Sequence, residues 1–312
     1  MNIAIIHTGF AKYLVYVLRQ IKKTNPNSKI FLISDKEYKK YSKYSTFIDI
    51  SKISSSQAKT FKEKYIHLGK SNPNYEMFCM LRWIILRDFM KEYNINECLH
   101  IDSDILIFSD LERALNPFSN YKISLAHNLA LTMHIKDIEI LNEFSKYLLF
   151  KYTNENEINK LKDMYYKTDR ATNGVAGSIS DMDISREFFS SVKEPIGDLS
   201  EIVNDSIFDS AIVYGAPEFE MLKKGKYELK KIFFENKEPF CNYILNGENR
   251  KIKFHSLHLL TWTKLFIKKL SDCKDLNFNP YFINIYREFT SFKTKIKKFL
   301  SAKSVYLFKC FF

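Results

Sequence analysis

Glycine and proline are scarce, with 8 and 7 among 312 residues, which excludes collagen-like and low-complexity architectures. The five cysteines, at 79, 98, 241, 273 and 310, are odd in number and form no Cys-x-x-Cys pair. They read as reduced thiols of a cytoplasmic protein. No run approaches the roughly 18 apolar residues of a membrane-spanning helix. The opening Met1-Asn2-Ile3-Ala4-Ile5-Ile6-His7-Thr8-Gly9 enters a strand-like run with no basic segment before it, so no signal peptide is expected. Acids are also short: 36 Asp and Glu face 48 Lys and Arg, a net charge of +12. What is plentiful is the material of a core, 46% hydrophobic residues with 27 Phe and 19 Tyr. The length allows one large domain or two small ones.

One segment concentrates the chemistry. Leu99-His100-Ile101-Asp102-Ser103-Asp104-Ile105-Leu106-Ile107-Phe108 sets two carboxylates one residue apart inside an apolar run. An unpaired carboxylate in a buried strand is costly. On an extended chain, residues i and i+2 point the same way. The pair therefore suits a divalent cation, magnesium or manganese, bridging to a phosphorylated substrate at the end of a buried strand. The competing reading is a solvated turn beginning at Asp102, which leaves the flanking apolar residues unexplained.

The first 35 residues read as strand, helix, strand. The apolar run 2–7 turns at Thr8-Gly9, Leu14, Val15, Val17, Leu18 and Ile21 keep a helical period, and Asn25-Pro26-Asn27 breaks it before a strand at 29–34. Such a unit implies an α/β domain with a parallel sheet. Ligands bind beyond the carboxyl ends of its strands, near His7, Thr8, Gly9 and Ser34-Asp35. The runs 2–7, 30–33 and 99–101 are expected as adjacent buried strands. Residues 36–71 are polar, with helical turns and a surface loop expected. Residues 75–93 form the best helix, with an apolar stripe of Met77, Leu81, Ile84, Ile85, Phe89 and Met90 and with Arg82 and Arg87 off it. A strand is expected at 123–126 and a charged helix at 136–161. Asn173-Gly174-Val175-Ala176-Gly177-Ser178 is a stretch where backbone can approach a ligand. Asn204 to Asp209 reads as a helix cap and start. Residues 253–260 read as a short strand or loop ending in a His-rich patch.

In order along the chain, a helical Arg82, the strand-end Asp102-x-Asp104, Asn173-Gly174, Asp205 and His258-Leu259-Leu260-Thr261-Trp262-Thr263-Lys264 resemble the A-type-fold (GT-A) nucleotide-sugar glycosyltransferases, specifically family 8 of glycogenin and the lipopolysaccharide galactosyltransferases. The matches are short and spread over residues 1–264. The resemblance implies a GT-A-like, mostly parallel central sheet flanked by helices. It also implies a manganese or magnesium site of Asp102, Asp104 and His258, a UDP-sugar donor, and retention at the anomeric carbon. It implies Lys264 at the diphosphate and Asp205 as the nearest match to a catalytic or sugar-binding carboxylate. With the strand-end positions His7, Thr8, Gly9 and Asp35, which rest on the sheet topology and on no motif, the expected cofactor-binding positions are Arg82, Asp102, Ser103, Asp104, Asn173, Gly174, His258 and Lys264. The chain departs from the family pattern at Thr261, where a glycine lets backbone approach the diphosphate, and at Leu265-Phe266, where Pro-Trp is usual.

Each position has a competitor. His255 lies three residues before His258, and only the spacing to Lys264 separates them. Arg82 also fits a solvated helix residue, Asn173-Gly174 a plain turn, and Asp205 a helix cap. A haloacid-dehalogenase-type phosphatase also carries Asp-x-Asp, but on its first strand and followed by a pair such as Gly-Thr, unlike Asp102. A degenerate transferase serving as a membrane-associated scaffold would not need to keep the acid pair.

From Arg287 to Phe312 there are seven basic residues and one acid, half the net charge of the chain. Phe289, Phe292, Ile296, Phe299 and Leu300 fall at helical spacing among them. This suits an anionic membrane surface better than nucleic acid. The expected division is a catalytic domain at 1–270 and a basic amphipathic helical tail at 271–312. The expected activity is metal-dependent transfer of a hexose from a nucleotide sugar to a glycan or lipid-linked acceptor, such as lipo-oligosaccharide or a capsule precursor, at the cytoplasmic membrane face.

Overall fold

The computed structural model describes residues 1–272 apart from 54, 70, 128, 168–178, 214–217, 225–226 and 246. The tail beyond 272 and the Asn173-Gly174 stretch lie outside the described residues.

The chain opens as the apolar runs dictate. Strand β1 (Asn2–His7) leads through helix α1 (Leu14–Thr24) to β2 (Lys29–Ser34), which pairs with β1 in parallel with Asn2 opposite Lys29 and His7 opposite Ser34. Beyond β2, β3 (Thr46–Asp49) adds a parallel edge strand within the segment expected as turns and loop. Helix α2 (Ser56–Lys64) follows, then α3 (Pro73–Glu92). Asn72 caps α3 by accepting from the amides of Asn74 and Tyr75, and Pro73 supplies the first helical position. Strand β4 (Cys98–Ile101) then runs parallel to β1, Ile3 opposite Leu99. The expected adjacency of the three apolar runs holds.

The next three residues leave the sheet. The run 99–108 is not one strand: β4 ends at Ile101, and β5 (Ile105–Ile107) begins in a second sheet. The amide of Ile105 turns back to the carbonyl of Asp102, at 3.2 Å. Helix α4 (Leu111–Leu115), β6 (Ile123–Ala126) and β7 (Leu129–Ile135) follow. Strand β7 is antiparallel to β4 and to β6, and β8 (Gly197–Asp198) lies parallel to β6. The large sheet has the order β3-β2-β1-β4-β7-β6-β8, mostly parallel in its pairings. Its strands alternate between two cores. Ile3 and Ile5 face α1, and Ala4 and Ile6 face α3, α5 (Ile138–Thr153) and α7 (Asp181–Ser191). Helix α6 (Glu155–Lys167) continues α5.

Helix α3 is buried from Met80 to Arg87 and again at Phe89 and Met90, so Arg82 and Arg87 are buried rather than on a solvated face. Each arginine is tolerated because carboxylates meet it, Asp102 and Asp181 at Arg82 and Asp88 at Arg87. Asn204 and Asp205 open no helix. Both take positive φ (50° and 54°) in a tight turn closed by Val203 and Ser206, leading into β9 (Ser206–Phe208). Their short polar side chains tolerate the left-handed conformation such turns demand.

The hairpin β10 (Met221–Lys224) and β11 (Tyr227–Lys230) precedes β12 (Phe233–Glu235), β13 (Glu238–Leu245) and β14 (Glu248–His258). The His-rich patch thus ends an 11-residue strand. The second sheet has the order β12-β13-β14-β5, antiparallel throughout, with β9 alongside β14 in parallel. A 3-10 turn, Thr261–Phe266, and helix α8 (Ile267–Asp272) close the described chain, α8 resting on α1. Among the described residues no helix is long and apolar enough to cross a membrane.

Candidate metal centre and its cavity

Asp102-Ser103-Asp104 is the switch between the two sheets, and this makes the site. The parallel strands β1, β2 and β4 end on one edge, so His7, Ser34 and Asp102 emerge together. The second sheet brings the other half. Its β14 pairs with β5 so that His258 lies opposite Ile105, the residue after Asp104.

Asp102, Asp104 and His258 each offer a ligand atom within 4.8 Å of the others. Nε2 of His258 stands 3.3 Å from Oδ1 of Asp104, while Nδ1 donates to the carbonyl of Ser210 at 2.7 Å. Nε2 is buried and makes no hydrogen bond among the described residues. A neutral ring that donates from Nδ1 therefore turns an unmatched lone pair toward a carboxylate, which fits a cation shared by the two. His255 goes elsewhere. Its Nδ1 meets the hydroxyl of Ser109 at 2.8 Å, and its ring packs on Phe208. The spacing to Lys264 thus picks out the histidine that reaches Asp104.

Charge balances the carboxylates. Lys264, on the 3-10 turn, puts Nζ 2.8 Å from Oδ2 of Asp104. Burial pushes the Asp104 pKa up, but His258 and Lys264 outweigh it and hold the group below the usual carboxylate range. Asp102 accepts from Nη1 of Arg82 at 2.5 Å. Burial again opposes ionisation, and the guanidinium again wins. Nη2 of Arg82 holds Oδ2 of Asp181 at 2.7 Å, and the guanidinium lies over the Trp83 ring. Both amino ends of Arg82 are occupied by carboxylates. For His258, burial pulls the pKa down, and Asp104 reverses this to a net rise.

The remaining expected positions divide. Nδ1 of His7 meets the hydroxyl of Ser103 at 3.0 Å, so β1 touches the switch directly. Gly9 adopts φ +77°, its amide donating to Asp35 at 2.8 Å and its carbonyl accepting from Tyr38 at 2.7 Å. Thr8 is half-buried between them. A cavity of about 1080 Å³ opens over the metal-ligand candidates, lined by Arg82, Asp102, Asp104, Asp181, Asp209, Lys230, His258, Thr261 and Lys264 among others, without His7, Thr8, Gly9 or Asp35. Asp205 is exposed, paired with Arg250, and also outside the lining. Thr261, at the glycine position of the resembled motif, keeps a glycine-like backbone with φ +52°. Such a conformation is a strained outlier for a β-branched residue.

Three lining residues went unread in the sequence. Asp181 shares Arg82 and accepts from the Trp83 indole at 3.3 Å. Asp209 and Lys230 form a buried pair at 2.6 Å. The signal that exposed Asp102 also exists in Ile207-Phe208-Asp209-Ser210-Ala211-Ile212, a carboxylate inside an apolar run.

No protein-family model and no curated protein matches the sequence. Among solved structures, the chain is similar to mouse xyloside xylosyltransferase 1, 12% identical over 66% of this chain and 88% of that one, with a TM-score of 0.46. It is similar to the galactosyltransferase LgtC, solved with donor and acceptor sugar analogues, 12% identical over 60% and 69%, TM-score 0.37. It is also similar to the glycosyltransferase GlyE of Streptococcus pneumoniae, 14% identical over 65% and 46%, TM-score 0.33. The fold rests on the sheet order above, and the functional reading rests on the side chains.

Proposed function

We propose that the chain is a metal-dependent glycosyltransferase, moving a hexose from a nucleoside diphosphate sugar to a glycan or lipid-linked acceptor. The observation that carries this is the convergence of Asp102, Asp104 and His258, with Lys264 on Asp104, in the lining of a cavity of about 1080 Å³. Two carboxylates and one imidazole would hold a hard, six-coordinate ion, manganese being favoured over magnesium by the nitrogen ligand. Such an ion, when bound, neutralises charge on a departing diphosphate.

The protein's own groups supply the rest. Lys264 is the flexible cation beside the carboxylates, suited to the diphosphate oxygens as a point charge. Arg82, gripped at both ends, keeps Asp102 ionised and oriented. His7 and Ser103 tie β1 to the switch, where the strand ends form the crevice that such sheets use for ligands. UDP as the carrier, retention at the anomeric carbon and a lipo-oligosaccharide or capsule acceptor complete the reading, with the basic tail meeting an anionic membrane on its cytoplasmic side. The asymmetric charge supports that attachment: between Lys12 and Lys52 ten Lys and Arg face three acids, besides the excess in the tail.

A thermal-shift panel of nucleotide sugars, each with manganese present, tests the reading. One nucleotide class should raise the melting temperature with manganese and not without it. No shift from any nucleotide sugar would contradict the proposal.

A further inference from the structure

Residues 209–212 close around a single residue of β14. Oδ2 of Asp209 accepts the backbone N–H of His258 at 3.0 Å. The carbonyl of Ser210 accepts from Nδ1 of the same ring at 2.7 Å, and the amide of Ile212 donates to the carbonyl of His258 at 3.1 Å. The amide, ring and carbonyl of His258 are thus all engaged by one short segment. The reason lies in the sheet. Strand β9 accompanies β14 as far as Phe208 opposite Ser256 and then departs, and the Asp209 side chain supplies the acceptor that β9 no longer gives.

That carboxylate is itself held by a cation. Nζ of Lys230, at the end of β11, reaches Oδ1 of Asp209 at 2.6 Å and the carbonyl of Ala211 at 2.7 Å, and lies 5.6 and 5.9 Å from the centres of the adjoining Phe219 and Phe254 rings. The amide of Lys230 bonds the carbonyl of Ile212 at 2.9 Å, so the lysine secures the segment at both ends. Asp209 and Lys230 are both buried, at 1% and 4% exposure. A buried ion pair is a poor way to gain stability, because an apolar pair of similar volume often serves better. Here the pair adds directionality, since one carboxylate oxygen is reserved for the residue that carries the ligand nitrogen.

We infer that Asp209 and Lys230 are positioning residues that fix His258 in the tautomer protonated at Nδ1, with Nε2 turned to Asp104. This rests on the reading of Asp102, Asp104 and His258 as metal ligands. Ligating histidines owe affinity to the partner on their other nitrogen, and loss of such partners lowers metal affinity by about 10–100-fold. Lys230→Met frees Asp209 to rotate and loosens the Ser210 carbonyl from Nδ1.

The test uses the full chain and two readouts. In metal-free protein at alkaline pH, ¹⁵N–¹H correlation of the histidine rings should show His258 protonated at Nδ1 alone. Lys230→Met should give a mixture of tautomers. Titration calorimetry with manganese alone should show about a 10–100-fold weaker affinity in the same variant. If Lys230→Met does not fold, the uncharged Asp209→Asn/Lys230→Met pair takes its place, with the same expectations. A folded variant that keeps a single Nδ1-protonated ring and wild-type manganese affinity would overturn the inference. Should the wild-type chain bind no manganese, the metal reading fails, and the tautomer measurement still judges the positioning pair.

Discussion

Nε2 of His258 faces Oδ1 of Asp104 across 3.3 Å while the other nitrogen of the ring is committed to the Ser210 carbonyl. In a neutral ring these are two acceptors pointing at one another, a relation that only a proton or a metal ion relieves. Manganese should therefore stabilise the folded chain by mass action, about 2.7 kcal/mol when present at 100 times its Kd. Asp104→Ala should abolish the rise in melting temperature and His258→Ala should weaken it. His255→Ala should keep the rise, because that ring is spent on Ser109. The opposite behaviour of the two histidines would refute the assignment.

Arg82 lies between Asp102 and Asp181, all three largely buried. Arg82→Met leaves two carboxylates facing each other without a cation, and a cost of about 3–5 kcal/mol is expected in urea unfolding. Arg82→Lys should recover only part of that, since an ammonium lacks the fork that holds both acids. A loss below about 0.5 kcal/mol would mean that the pairing seen here contributes nothing.

Thr261 sits at φ +52°, three residues beyond His258, where β14 ends. Relief of that strain should exceed the added chain entropy of glycine, so Thr261→Gly should stabilise the protein by about 1 kcal/mol. Thr261→Val, still β-branched, should bring no gain. Thermal unfolding of the two variants at equal metal content measures the difference.

Burial pulls the His255 imidazole down to about 4, with nearby Lys253 acting in the same direction. An unfolded histidine titrates near 6.5. Between those values the unfolded chain takes up a proton that the folded chain refuses, so stability is full above about pH 6.5 and falls as the pH drops toward about 4. The His255 share is about 1–3 kcal/mol. His255→Gln should remove that share of the decline between pH 7 and pH 4.5, read as the difference between the wild-type and variant slopes. Equal slopes would refute it.

The sequence exposed those parts of the site that local pattern controls. Apolar runs at 2–7 and 99–101 located two adjacent parallel strands, because a strand buried on both faces needs no alternation to announce itself. The acids at 102 and 104 stood out as charges within such a run. What local pattern could not carry was the break between them: Ile101 and Ile105 look alike in sequence and belong to different sheets. For Arg82 the sequence left a diphosphate ligand and a solvated helix residue both open, because its acid partners come from positions 20 and 99 residues away. Asp205 was misread for a related reason, since Asn-Asp suits a helix cap and a left-handed turn equally, and the pairing of Val203 with Ser206 decides. The Asp209–Lys230 pair was invisible as a pair, although Asp209 alone carried the same signal as Asp102.

The most direct test of the central claim is release of nucleoside diphosphate from a UDP-hexose by the full chain, measured with manganese and again after chelation. The account predicts slow hydrolysis without acceptor that requires the metal, stops with chelator, returns when manganese is restored, and is absent in Asp104→Ala. Undiminished turnover in chelator would contradict it and reduce Asp102 and Asp104 to structural acids.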